Sequence, residues 1–344
     1  MRKTLTLLAS LAALIATTSC DKDLEKENDV TTNFNTLWSI IDQKYCFFEF
    51  KKDSIEDWNK VRATYYSKAL ECHTMEELFY VMGGMLNELK DGHVNLTSTF
   101  DVSRYNLHEK YEDNFIKNVI FTDKYLGSDY RRAGGLYYKM LTPDSIGYVY
   151  YPSFSTAFSE SNINNVLLHF KKAKGVIVDI RGNGGGMITN AERLASHFTP
   201  QKTLASYFRR KTGRAHNALS DKQAIYIEPA DGVIYAGPTI VLTNRDVYSA
   251  ANLFTQEVQP QRHVLIVGDR TGGGSGVPAS DELPCGWTVR YSSAIYLDSK
   301  GRCTEWGIEP DVKVALDKEK AYLYDTDSII ETARSLIAKA KKQP

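Results

Sequence analysis

From Ile146 onward the chain repeats one pattern: a short apolar run, a break of glycine or small polar residues, then an amphipathic stretch. "IGYVYYPSF" and "GVIVDIRG" are two such runs, with a helical pattern from Ile163 to Lys172 between them. "TIVLTN" and "HVLIVGD" are two more, separated by a helix that starts at Ser249, and a further helix begins near Asn190. Strands joined through helices are crossovers rather than hairpins, so the pattern predicts an α/β core with mostly parallel strands. A strand from Trp287 to Leu297 and an amphipathic helix from Thr326 to Lys341 complete it.

The stretch before this core reads differently. Phe34, Leu37, Trp38, Ile41 and Tyr45 recur at three- and four-residue steps and give one apolar helix face. Ser54-Ile55-Glu56-Asp57 reads as the start of a second helix with Ser54 as its cap, carried on by Trp58, Val61, Tyr65 and Leu70. Thr74-Met75-Glu76-Glu77 repeats that signal before Leu78, Val81, Met82, Met85, Leu86 and Leu89. Residues 31–93 are therefore expected as a small helical bundle, 94–145 as short strands and loops, and 146–344 as the main domain.

The chain has 344 residues and balances 42 Lys and Arg against 42 Asp and Glu, so it lacks the basic excess of a nucleic-acid binder. Its first nineteen residues have the make-up of a secretory signal: Arg2 and Lys3, then an apolar run from Leu5 to Ile15, then small residues. Cys20 directly after them resembles the lipid-attachment cysteine of bacterial lipoproteins, although Thr17 stands where leucine is usual. The acidic stretch over residues 20–30 is similar to the tether of lipoproteins displayed on some Gram-negative cells, which implies lipid anchoring in the envelope, at the outer membrane or cell surface. The remaining cysteines, Cys46, Cys72, Cys285 and Cys303, match no zinc-ligand spacing. A Cys46–Cys72 or Cys285–Cys303 bridge and four reduced thiols are both open.

Four loops concentrate residues that neither strands nor helices favour. "LKDGHVNL" presents His93 just beyond a helix stop at Gly92. A lone histidine there is more often a solvated or core residue than a proton carrier. "DIRGNGGG" follows a strand, and its three glycines can bring N–H groups close to a ligand or simply make a tight turn. It has neither the Lys-Ser/Thr ending of a phosphate-binding loop nor a dinucleotide fingerprint. Ser249 sits at a helix start, where serine is an ordinary cap, but where the helix terminus also favours negative charge. "GDRTGGGSG" makes another glycine turn, and "EWGIEPDV" ends a strand with Glu305, an acid able to support an imidazolium.

The order of these elements is more specific than any one of them. A helical bundle ending in L-x-D-G-H is followed by D-x-R-x-N-x-G-G, S-A-A, G-x-x-T-G-G and E-x-G-I-x-P-D. This resembles the serine peptidase family of C-terminal processing proteases and the tricorn core protease, from about Phe34 to Val312. The resemblance implies a crotonase-like or ClpP-like αββ spiral behind the helical bundle. It also implies Ser249 as nucleophile, the backbones of Ala250 and Gly185 as oxyanion donors, and no metal or other cofactor. C-terminal processing proteases take their base from a lysine in T-x-G-K-G, but Gly274 holds that place here. The tricorn-like branch uses the histidine of D-G-H with a glutamate, which match His93 and Glu305.

Two departures qualify the likeness. Gly92 stands where the tricorn core protease has a serine that helps link its histidine and glutamate. Only about fifty residues separate His93 from Ile146, too few for the PDZ domain that many members insert there. A peptide or unfolded protein is the implied substrate. The principal rival is a non-catalytic surface lipoprotein holding a peptide or apolar ligand on the same fold, as in the photoreceptor retinoid-binding protein. A CoA-dependent crotonase-type enzyme is the third class.

Overall fold

The computed structural model describes residues 29–52, 55, 57–105 and 111–340. The segment read as a signal, Cys20, most of the acidic stretch and Ser54 lie outside them. The chain divides into two compact units, one of residues up to Tyr105 with 214–216 and 278–291, the other of 106–213, 217–277 and 292 onward.

The first unit is built on three helices. Helix α1 (Val30–Lys44) starts where the Asp29 carboxylate accepts the N–H of Thr32 at 2.8 Å, and it buries Phe34, Leu37 and Ile41. Helix α2 (Trp58–Leu70) starts later than the sequence pattern suggested. Asp57 is its cap, accepting the Asn59 N–H at 2.9 Å from an extended backbone, so the acid expected inside the first turn is the residue that begins it. Helix α3 (Met75–Asn87) has the reciprocal cap that its sequence spells, with Thr74 accepting from Glu77 N–H and Glu77 accepting from Thr74 N–H. Strand β1 (Asn95–Thr97) then pairs antiparallel with Thr288–Arg290.

The second unit is the α/β core. After a short α4 (Lys117–Ile120) come β2 (Arg131–Ala133), β3 (Leu136–Leu141), β4 (Ile146–Tyr150), α5 (Glu160–His169), β5 (Val176–Asp179) and α6 (Ile188–Ser196). They are followed by β6 (Thr203–Arg210), β7 (Gln223–Ile227), β8 (Thr239–Thr243), α7 (Ala250–Val258) and β9 (Val264–Gly268), then by β10 (Gly276–Glu282) and β11 (Thr288–Asp298), whose residues 278–291 belong to the first unit. Strand β12 (Val312–Lys313), α8 (Lys318–Tyr324) and α9 (Ser328–Ala340) complete it. Seven strands form one sheet in the order β12-β9-β8-β5-β4-β3-β2, parallel from β12 to β4 and antiparallel beyond.

Its two faces explain the apolar runs. Val149, Val178, Val241 and Ile266 point into a core with α5, α6 and α7, while Tyr148, Ile177, Ile240 and Val267 point into a second core with α9. A sheet covered on both sides has no solvent face, so its strands need not alternate with polar residues. A smaller antiparallel set pairs β6 with β7 and with Ala294–Asp298 of β11. Strand β6 ends in Arg209-Arg210 and β7 opens on Gln223, and neither is among the strands expected from the sequence.

Residues 94–145 form β1, α4, β2 and β3. Among the described residues no helix is long and apolar enough to cross a membrane. No disulfide joins the four described cysteines.

Candidate functional site

The parallel strands set the site. The loops after β5, β8 and β9 leave the same, carboxyl end of the sheet, the edge at which open α/β sheets place their ligands. They carry Asp179–Met187, Asn244–Ser249 and Asp269–Ser275.

Ser249 lies where the loop after β8 meets α7. Its φ is 57° and ψ −122°, and its side chain makes no capping bond to the helix. Positive φ costs a residue with a Cβ about 1–3 kcal/mol, and such strain is retained where the surroundings dictate it. The surroundings here are explicit. Ser249 N–H donates to the Gly273 carbonyl at 2.9 Å, Tyr248 N–H donates to the Asn183 carbonyl at 3.1 Å, and the Ser249 carbonyl accepts from Leu253 N–H at 2.9 Å. The residue that reads as a cap is therefore a sharp strand-to-helix elbow whose side chain does not cap the helix.

The glycine loop after β5 packs directly against it. A Cβ on Gly185 would lie 2.8 Å from the Ser249 Cβ and 3.0 Å from the Ala250 nitrogen, and Gly185 has φ 102°. Only glycine fits there. Ala250 heads α7, where the first N–H groups have no partner inside the helix. Gly185 N–H donates to the Asn183 Oδ1 at 2.9 Å. Buried Asn183 also donates its Nδ2 to the Tyr151 carbonyl at 2.8 Å, so one side chain pins the loop to the chain that follows β4.

Behind the loop lies a fully buried ion triad. Arg181 donates to both oxygens of Asp179, at 2.9 and 2.6 Å, and to both oxygens of Asp327, at 3.2 and 2.9 Å. Asp327 also accepts the N–H groups of Ile329 and Ile330, tying the first turn of α9 to the same arginine.

The third loop joins Ser249 to Glu305. Gly274 N–H donates to the Glu305 carbonyl at 3.0 Å, and Ser275 N–H donates to the Glu305 Oε2 at 3.0 Å. Thr271 Oγ1 donates to Asn252 Oδ1 at 2.6 Å and accepts from Ile308 N–H at 2.7 Å, fastening the turn to α7 on one side and to the Glu305 segment on the other. Gly274, at φ 74°, has its missing side chain replaced by the ring of Tyr248. A lysine at this position would collide with that ring.

The second unit thus brings Ser249, Ala250, Gly185 and Glu305 together. His93 belongs to the first unit and is buried there. Its N–H donates to Asp91 Oδ1 at 2.8 Å, and Asp91 Oδ2 accepts from the Tyr45 hydroxyl at 2.9 Å. Lys51, buried as well, lies 3.9 Å from the same carboxylate. Burial pushes the His93 imidazole down to about 4; the Asp91 carboxylate opposes this, while Arg290 and Lys51 add to it. Burial acts against the charged form of Asp91, but Lys51 and His93 outweigh it and hold the carboxyl below its usual range.

Sequence reasoning missed Asp327, Asn252 and Lys51, because their partners lie far along the chain, and it assigned Ser275 no role. Among the described residues no group of three or more His, Cys, Asp or Glu could hold a metal ion.

Fold and site together define an α/β protein that presents a strained serine at the carboxyl edge of its sheet, against a glycine loop and beside a turn that holds a buried glutamate. The chain belongs to peptidase family S41, whose pattern matches residues 145–314, while that of the tricorn protease C1 domain matches residues 26–87. The carboxy-terminal processing protease CtpA of Bacillus subtilis is 26% identical over 215 residues, 58% of this chain and 44% of CtpA. The tail-specific protease of Haemophilus influenzae is 28% identical over 156 residues, 44% of this chain and 21% of that protein. The chain thus spans less than half the length of these two curated relatives. A provisionally named peptidase from Parabacteroides merdae is 44% identical with a TM-score of 0.85, covering 90% of this chain and 97% of that one. Mature CPAF in complex with lactacystin shares the fold at 13% identity, with a TM-score of 0.67 over 92% of this chain and 98% of that one.

Proposed function

We propose that the chain is a serine peptidase that cleaves peptide bonds through an acyl-enzyme on Ser249, with His93 as general base and Glu305 supporting the imidazolium. The observation that carries this reading is the Ser249 backbone, held at φ 57° and ψ −122° at the head of a helix that its side chain does not cap. A strand-to-helix elbow of this kind exposes a nucleophilic hydroxyl.

The chemistry follows from the groups present. Burial keeps the His93 imidazole neutral at neutral pH, the form that can take the Ser249 proton as the oxygen attacks a peptide carbonyl. Negative charge then develops on the carbonyl oxygen, where the Ala250 N–H at the helix head and the backbone of the Gly185 turn are the nearby donors. Gly185 N–H would share itself between Asn183 and that oxyanion. His93 returns its proton to the leaving amine, then takes one from the water that hydrolyses the acyl-enzyme. The collision of any side chain at Gly274 with Tyr248 favours histidine over lysine as base.

The substrate in this reading is a peptide or unfolded protein, and the reaction needs no cofactor. We also infer export and lipid attachment through Cys20, on the signal-like residues before it; a labelled lipid precursor retained by the wild type and lost in Cys20→Ser would support this. The peptidase reading is tested by intact mass after exposure to a fluorophosphonate. A single adduct on the wild type, lost in Ser249→Ala and in His93→Ala, is expected. Loss only in Ser249→Ala would call for a different base. A folded wild type that takes no adduct would point instead to a ligand-binding lipoprotein on this fold.

A further inference from the structure

Lys51, in the first unit, is only 1% exposed, and a buried ammonium is costly unless it is held on several sides. It follows the single 3-10 turn Phe48–Phe50, and its Nζ donates to the Leu89 carbonyl at 2.8 Å and to the Lys90 carbonyl at 3.3 Å. The Asp91 carboxylate lies 3.9 Å away, and the rings of Phe47 and Tyr45 stand 5.5 and 5.7 Å from the ammonium. These contacts converge on the turn that leaves α3. Lys90 has φ 49°, a left-handed conformation that a residue with a side chain disfavours, so the chain reverses there under strain. His93 comes directly after, inside a turn closed by Val94 N–H on the Asp91 carbonyl at 3.0 Å and by its own N–H on Asp91 Oδ1 at 2.8 Å. The Tyr45 hydroxyl donates to the other Asp91 oxygen at 2.9 Å. A methionine would fill the place of Lys51 without burying a charge.

We infer that Lys51 is a positioning residue for the proposed peptidase reaction, fixing the loop that presents His93. Its ammonium binds the carbonyls before and after the strained Lys90 Cα, and it lies beside the carboxylate that holds the His93 N–H. One buried charge therefore anchors both the entry and the interior of the turn. The same charge also acts on the imidazole. His93 is faced by Asp91 from its own loop, by Lys51 and by Arg290 from β11; the carboxylate favours the imidazolium, and the two cations oppose it. With Lys51 in place, the acid that grips the loop does not draw a proton onto the base. Lys51 itself gives up no proton. This rests on the function proposed above, in which His93 takes the Ser249 proton.

The test uses the full chain and the second-order rate of fluorophosphonate labelling between about pH 4 and 8. It compares the wild type, Lys51→Met, Asp91→Asn and the Lys51→Met/Asp91→Asn double variant, with the urea midpoint of each. Lys51→Met should label about 10- to 100-fold more slowly at neutral pH, the scale of a misplaced reacting group. Its acid limb should rise by about one pH unit or more, because Asp91 then acts on the imidazole without the opposing cation. In Asp91→Asn the amide oxygen can still accept the His93 N–H, which makes this variant the reference for the double one. The double variant buries neither charge and should fold, keep the acid limb of Asp91→Asn and label about 10-fold or more slowly than it. If Lys51→Met does not fold, the double variant decides. A wild-type rate in folded Lys51→Met would overturn the inference. So would an unmoved acid limb, which a packing role alone predicts, or equal rates in the double variant and Asp91→Asn, or a rate loss accounted for by the fraction unfolded. Failure of the peptidase reading looks different: a folded wild type that takes no label, or His93→Ala labelling like the wild type, would end that reading and this inference with it.

Discussion

Gly185 packs so closely on Ser249 that it has no room for a side chain: a Cβ on Gly185 would stand 2.8 Å from that of Ser249. The contact sets the glycine loop against the elbow, where the proposed reaction would develop its oxyanion. Gly185→Ala should therefore cut fluorophosphonate labelling by about 100-fold or more, the scale of losing an oxyanion donor. Its φ of 102° adds a stability cost of about 1–3 kcal/mol. Labelling rate and urea midpoint measured together check this. A variant that labels at the wild-type rate would place the reacting oxygen elsewhere.

His93 makes a pH prediction with a definite sign. In the proposed role as base His93 must be neutral to take a proton, and burial lowers its pKa from 6.5 to about 4. Labelling should hold its rate as pH falls through 6, and the limb due to this group should appear nearer pH 4. Stability runs the same way. Between about pH 6.5 and 4 the unfolded chain binds a proton that the folded imidazole refuses, so stability falls as pH falls through that window. The full difference is about 3 kcal/mol. His93→Gln should flatten that part of the urea-midpoint profile. An acid limb at pH 6 to 7 would contradict the buried, neutral imidazole.

Much of this arrangement is readable in the sequence, and the limits have physical causes. The parallel strands announce themselves because both sheet faces are covered, which makes "GVIVDI" and "TIVLT" uninterrupted apolar runs. The cap of α3 is legible because its partners lie three residues apart. Helix α2 misleads because Ser54 and Asp57 are both good caps and only the backbone chooses Asp57. Ser249 is ambiguous for a deeper reason, since a cap and an elbow put the same residue at the same place and differ only in φ. Asp327 is beyond sequence reasoning because Arg181, its partner, stands 146 residues away.

That distant pair makes its own prediction. Arg181 bridges Asp179 and Asp327, and all three are fully buried. Arg181→Met would leave two carboxylates facing one another without it, at a cost of about 3–5 kcal/mol. Arg181→Lys should recover little, because an ammonium cannot reproduce the guanidinium's paired contacts to both acids. Asp327→Asn should be milder and loosen the first turn of α9. Urea unfolding of the three variants checks the order. An Arg181→Lys variant as stable as the wild type would show that charge, not fork geometry, is what the site requires.

Glu257 poses the opposite case, a buried acid with nothing to hold it. It lies on α7, two turns beyond Ser249, and neither carboxylate oxygen has a hydrogen-bond partner among the described residues. Burial first, and the charge of Glu192 second, raise its pKa well above 4.5, so the folded protein keeps it protonated. The sign is therefore reversed from His93. Above about pH 4.5 the unfolded chain releases a proton that the folded chain retains, and stability declines as pH rises until the folded group also ionises. Glu257→Gln should remove that decline, and Glu257→Met, similar in volume and without a charge to bury, should stabilise the protein by about 1–3 kcal/mol at pH 8. The difference in urea midpoint between pH 5 and pH 8 reads this directly. If Glu257→Gln is instead several kcal/mol less stable at pH 8, the carboxylate is ionised and held by a partner, and the α7 helix owes its position to that partner rather than to the apolar packing of Phe254 and Val258.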